Sequence, residues 1–122
     1  MLPAEPPGLE LLLVASHPTM ARSLRTGLEE EGFAVHSVDD PNKAQDLLGS
    51  RTFAVIIVDI PANKEMAVLQ SWRRACIATP LLILSTPGSP LENLHDLGLG
   101  PGAFLAKPFS FNHLLNRLAL LT

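Results

Sequence analysis

Three residues of this chain combine reactive side chains with the positions where α/β proteins place their chemistry: Asp59, Ser85 and Lys107. Asp59 ends the run Phe53-Ala54-Val55-Ile56-Ile57-Val58. Six apolar residues without alternation read as a strand covered on both faces, as in the middle of a parallel sheet. Open α/β sheets gather their chemistry at the carboxyl ends of the strands. An isolated aspartate there can equally end a strand or cap the next helix, so its neighbours decide. Ser85, followed by Thr86, ends the apolar run Leu81 to Leu84, and Lys107, followed by Pro108, ends Ala103 to Ala106. On one sheet edge Lys107 can pair with Asp59, and Ser85 can donate to the same carboxylate.

The elements that must position these groups alternate along the chain. Leu11 to Ala15 reads as the first strand, and Ser16-His17-Pro18-Thr19 as its turn into a helix. Met20, Leu24 and Leu28 recur every four residues, opposite Arg22, Arg25, Glu29 and Glu30, which predicts one buried stripe. Gly32 suits the left-handed position after that helix, while Gly27 inside it costs about 1 kcal/mol against alanine that packing must offset. Phe33 to Val38, broken by His36 and Ser37, reads as a strand nearer an edge. Asp40-Pro41 caps a short helix whose inner face is Ala44, Leu47 and Leu48. Phe53 to Asp59 is the third strand. Glu65 to about Cys76 reads as a helix with Leu69, Trp72 and Cys76 inward. Leu81 to Ser85 is the fourth strand. Ser89-Pro90 opens a short helix ended by Gly98, and Ala103 to Ala106 is a fifth strand. Ser110 caps a last helix with Phe111, Leu114, Leu115 and Leu118 on one side. Five strands alternating with five helices predict right-handed βαβ crossovers, hence a single-domain doubly wound (βα)5 sandwich around a five-stranded parallel sheet.

The chain of 122 residues is long enough for one domain with a core. Residues 1–8 hold three prolines and read as a flexible leader, leaving 9–122 as the domain. Net charge is −3, and no stretch concentrates Lys or Arg, so no nucleic-acid partner is expected. No basic region precedes the Leu11–Val14 run, and no apolar run approaches a membrane span of roughly 18 residues. A soluble, cytoplasmic protein is expected. Cys76 is the lone cysteine and reads as a packed thiol. His17, His36, His95 and His113 show no spacing that builds a metal site.

An Asp, a small hydroxyl and a Lys on one edge resemble the phosphoryl-acceptor site of response-regulator receiver (CheY-like, flavodoxin-like) domains. The likeness extends from Leu11 to Leu121 and rests on motifs in register. These are Leu11 to Val14 then Pro18-Thr19-Met20, Phe53 to Asp59, Thr79 to Ser85, and Gly102 to Phe109 with its Lys107-Pro108-Phe109. The resemblance implies that Asp59 corresponds to the phospho-accepting aspartate and Ser85 to the hydroxyl that contacts the phosphoryl group. Lys107 corresponds to its cationic partner, with a cis bond to Pro108, and Phe104 to the aromatic that turns on switching. The region Ser89 to Leu121 would be the surface for a protein partner, and could also pair two copies of the chain.

One departure separates this chain from the pattern. Active receivers hold Mg²⁺ with an acidic pair after the first strand together with the acceptor aspartate. Here those positions are Ala15 and Ser16. Each lost carboxylate represents roughly 8 kcal/mol of gross attraction to a divalent ion at about 4 Å and an effective dielectric of about 20. Local formal charge rises from about −2 to about zero when three carboxylates and one Lys become one of each. Mg²⁺ gives up its waters reluctantly, and phosphoryl transfer uses the ion to neutralise developing charge. No metal, no cofactor and no enzymatic activity are therefore expected. The reading is a degenerate receiver: a phosphorylation-independent interaction module of two-component-type signalling. Two alternatives stand beside it: a receiver that accepts phosphate on Asp59, and a flavodoxin-like nucleotide or flavin binder using Ser16 and Thr19.

Overall fold

In a computed structural model of the chain, the described residues are 9–60, 62–75, 79–85, 102–107 and 109–121. In chain order they form β1 (Glu10–Ala15), α1 (Pro18–Glu30), β2 (Ala34–Val38), α2 (Pro41–Leu48), β3 (Val55–Asp59), α3 (Ala62–Arg74), β4 (Leu81–Ser85), β5 (Gly102–Ala106) and α4 (Phe111–Leu121). The strands make one parallel sheet in the order β2-β1-β3-β4-β5. Asp59 thus ends the middle strand, and β2, with its polar residues, lies at an edge.

The unbroken apolar runs follow from two-sided burial. Alternate strand residues point to opposite faces, and each face has its own core. Leu12, Val14, Ile56, Val58, Leu81 and Ile83 meet Ala44 of α2 and Leu69 and Trp72 of α3. Leu11, Leu13, Val55, Ile57, Leu82, Leu84 and Leu105 meet Leu24 and Leu28 of α1 and Leu114 and Leu118 of α4. At roughly 1.5–3 kcal/mol for each large apolar side chain fully buried, these two layers hold the sheet between its helices.

Local signals set the helix ends. The N–H of Gly32 donates to the Glu29 carbonyl and that of Phe33 to the Leu28 carbonyl. That is a Schellman closure of α1, and it requires the positive φ of 97° that Gly32 adopts. Asp40 caps α2 by accepting from the Asn42 N–H at 2.8 Å. Ser110 caps α4 by accepting from the His113 N–H at 3.2 Å. Gly27 is explained by α4, because a Cβ there would lie 2.9 Å from the Phe111 ring.

The third helix begins at Ala62, three residues before the expected Glu65. Its first turn, Ala62-Asn63-Lys64, carries no large apolar side chain, so hydrophobic periodicity starts late. Its expected end at Cys76, and the helix expected between Ser89 and Gly98, lie outside the described residues. Among the described residues no helix is long and apolar enough to cross a membrane.

Candidate functional site

Asp59 is carried to the sheet edge by β3 and continues the alternation of Val55 and Ile57, toward the face that α1 and α4 cover. Its side chain is only 2% exposed. A carboxylate so buried must find a partner, since an isolated charge in such a place is costly. Lys107, one residue past β5, supplies it: the Nζ ammonium donates to Asp59 Oδ1 in an ion pair. Lys107 keeps 24% of its side chain exposed, so the pair is buried at the carboxylate and wetted at the ammonium. Asp59 Oδ2 is buried and has no hydrogen-bond partner among the described residues.

β1 closes the other side. Ala15 is the register partner of Asp59, and the Ser16 N–H donates to the Asp59 carbonyl at 3.1 Å. The residue facing the carboxylate from the neighbouring strand is therefore a buried methyl group, 2% exposed. Ser16 begins the turn into α1, whose N-cap His17 makes no side-chain capping bond and whose first residue is Pro18.

Of the other expected site residues, Ser85 ends β4 opposite Ala106, and Phe104 sits in β5 opposite Ile83, both placed here by backbone register. Pro108 lies outside the described residues, as does the part of the expected partner surface from 89 to 101. Asp59, Lys107, Ala15 and Ser16 are brought together.

The donor set does not fit Mg²⁺, which favours several carboxylate or phosphate oxygens in octahedral array. Among the described residues no group of three metal-ligating side chains comes together. Among the described residues, the acids lining the adjoining cleft are committed elsewhere. Asp39 accepts from Lys43 at 3.0 Å, and Asp40 caps α2. With Ser16, Ile60 and Lys64 they line a cleft of about 350 Å³. That cleft balances two carboxylates, Asp39 and Asp40, against two ammonium groups, Lys43 and Lys64. The Lys43 partnership lowers the pKa of Asp39 and raises that of Lys43, mainly through their hydrogen bond.

A second cluster, which sequence patterns did not announce, lies at the amino end of the strands. Arg51 donates to Glu10 at 2.8 Å and lies over the Phe53 ring, 5.6 Å from its centroid. His36 meets the same ring edge-on at 5.5 Å. The residues are 41 positions apart in the case of Glu10 and Arg51, so only the strand order unites them.

Comparison with known proteins agrees with this geometry. The family model for the response regulator receiver domain matches residues 11–119. The transcriptional regulatory protein TctD of Salmonella typhimurium is 31% identical over 115 residues, covering 93% of this chain and 51% of its own length. PmrA of Pectobacterium parmentieri, another transcriptional regulatory protein, is 29% identical over 115 residues, with 93% and 52% covered. The chain spans about half the length of the curated relatives it matches. These comparisons give no support to the expectation of no nucleic-acid partner. Among solved structures, the receiver domain of the Francisella response regulator 1452 superposes with a TM-score of 0.78 at 28% identity, covering 93% of this chain and 96% of that one. Chemotaxis response regulator CheY4 of Vibrio cholerae shares the fold, with a TM-score of 0.75 at 24% identity over 94% of this chain and 99% of that one. With the family model matching residues 11–119 and a parallel sheet of this order, the chain belongs to the response regulator receiver domain family.

Proposed function

We propose that this receiver domain is a degenerate member that works as a protein-interaction module of two-component-type signalling in the cytoplasm, without phosphorylation. The observation that carries this reading is the Lys107–Asp59 ion pair with Ala15 in register across from it. The ammonium satisfies the acceptor carboxylate directly, in place of a phosphoryl group and a divalent ion, and holds one conformation. Partners would dock on the region from Ser89 to Leu121, and the domain itself catalyses nothing.

The test is incubation with a small-molecule phosphodonor and Mg²⁺, followed by intact mass. Unmodified protein is expected, and a phosphoryl adduct on Asp59 would overturn the reading. One observation favours the alternative of a phospho-accepting receiver: among the described residues Asp59 Oδ2 has no partner, which leaves one oxygen for acceptor chemistry.

A further inference from the structure

We propose that Glu10, His36 and Arg51 form a proton-operated latch at the amino edge of the sheet. Protonation of the His36 ring passes the Glu10 carboxylate from Arg51 to His36 and releases the segment that carries Arg51. The cluster lies at the opposite end of the strands from Asp59, so it stands or falls apart from the reading of that site.

The geometry fixes the starting state. Arg51 Nη2 donates to Glu10 Oε1 at 2.8 Å, and Arg51 Nη1 lies 3.5 Å from His36 Nδ1. A guanidinium has only donors, so Nδ1 accepts and the neutral ring carries its proton on Nε2. That Nε2 lies 3.6 Å from the same Glu10 Oε1, beyond hydrogen-bond reach. One carboxylate oxygen thus faces two donors, and the guanidinium holds it.

Histidine is the side chain whose ordinary charge change falls between about pH 5 and 8. A second proton can go only to Nδ1, the atom that Arg51 addresses. The acceptor then becomes a donor, and two cations stand 3.5 Å apart. On its other side the ring becomes an imidazolium 3.6 Å from a carboxylate, and attraction draws Nε2 onto Oε1. The Phe53 ring, with Arg51 over it and His36 edge-on, touches both cations and does not choose between them. Among the described residues no other charged group bonds to the ring. By strand alternation His36 shares the α2 side of the sheet with Val38, and α1 covers the other face. The charged residues of α2 are Lys43, which is bonded to Asp39, and Asp46; neither pairs with His36.

Arg51 belongs to the segment that closes α2, where the Ser50 and Arg51 N–H groups donate to the Leu47 carbonyl at 3.1 and 2.8 Å. Release of the guanidinium loosens that closure. The three side chains are between 34% and 43% exposed, so protons reach the ring freely and the change is graded, not all-or-none.

The test is NMR on the full chain from about pH 8 to about pH 5.5, a range in which glutamate ordinarily stays charged. It follows the His36 ring nitrogens, the Arg51 Nε–H, and the exchange protection of the Ser50 and Arg51 amides. At the alkaline end the ring should be the Nε2–H tautomer. As the ring charges, the Arg51 Nε–H signal should move with the same midpoint, and the two amides should lose protection about three-fold. His36→Gln keeps a donor and an acceptor but has no charge to gain, so both responses should flatten although His17 and His113 are still present. His36→Asn serves the same purpose if the glutamine variant does not fold. Glu10→Gln weakens the shared acceptor and should leave the two amides poorly protected at both ends of the range. Arg51 signals that stay fixed while the His36 ring titrates would overturn the proposal. So would a response that survives His36→Gln, full protection in Glu10→Gln, or a neutral ring that carries its proton on Nδ1.

Discussion

Ala15 faces Asp59 across the β1–β3 register, a methyl group beside a buried carboxylate. That neighbour leaves the Lys107 ammonium as the charge bonded to Asp59. The pair is balanced, one anion to one cation, so removing either member leaves the other stranded.

Lys107→Ala should therefore destabilise the domain by about 2 kcal/mol, less than for a fully buried pair because the ammonium is partly exposed. Asp59→Asn should cost less, because an amide oxygen can still accept from the ammonium. Chemical denaturation of both variants checks the order. A stabilised Lys107→Ala variant would show that the pair is not a structural tie.

Gly27 and Phe111 make a second coupled pair. Alanine in a helix usually gains about 1 kcal/mol over glycine. Here its Cβ would lie 2.9 Å from the Phe111 Cε1 and Cζ atoms. Gly27→Ala should cost about 1 kcal/mol in the natural chain through overpacking. In a Phe111→Leu background the same change should become favourable. A double-mutant cycle reads the coupling, and additive effects would contradict the contact.

Asp40→Ala should lose about 1 kcal/mol, because the Asn42 N–H at the start of α2 loses its acceptor. Asp40→Ser should recover most of that loss. Unfolding midpoints of the two variants test it.

The Asp39–Lys43 pair sets an acid-side dependence. The folded pKa of Asp39 is lowered by the Lys43 hydrogen bond. Its stabilising contribution is present above the unfolded value of 3.8 and fades as pH falls through the lower folded value. The raised Lys43 pKa works on the other side: its contribution is present below 10.5 and lost as pH rises through the folded value. Both groups are exposed, so the readout is titration by NMR. In Lys43→Ala the Asp39 midpoint should move up toward its ordinary value.

Much of this was legible from residue order because the signals are local. Asp40-Pro41, Ser110 and Gly32 announce helix ends through their own backbone chemistry. The unbroken runs at Leu11 and Phe53 announce two-sided burial. The start of α3 lies three residues ahead of its apolar period, because Ala62, Asn63 and Lys64 carry no large apolar side chain. What order alone does not carry is the meeting of distant residues. The Lys107–Asp59 pair is readable because both residues end strands of one sheet, but only the packed fold seats Phe111 on Gly27 and joins Glu10 to Arg51. Those two contacts depend on which strands and helices become neighbours.

The most direct measurement is the backbone amide NMR spectrum of the full chain, recorded before and after adding Mg²⁺ and a small-molecule phosphodonor. A site already closed by Lys107 should leave resonances near Asp59, Lys107 and α4 in place, giving superimposable spectra. Specific shifts spreading from Asp59 into β4, β5 and α4 would show a working phosphoryl switch, and the phosphorylation-independent reading would fall.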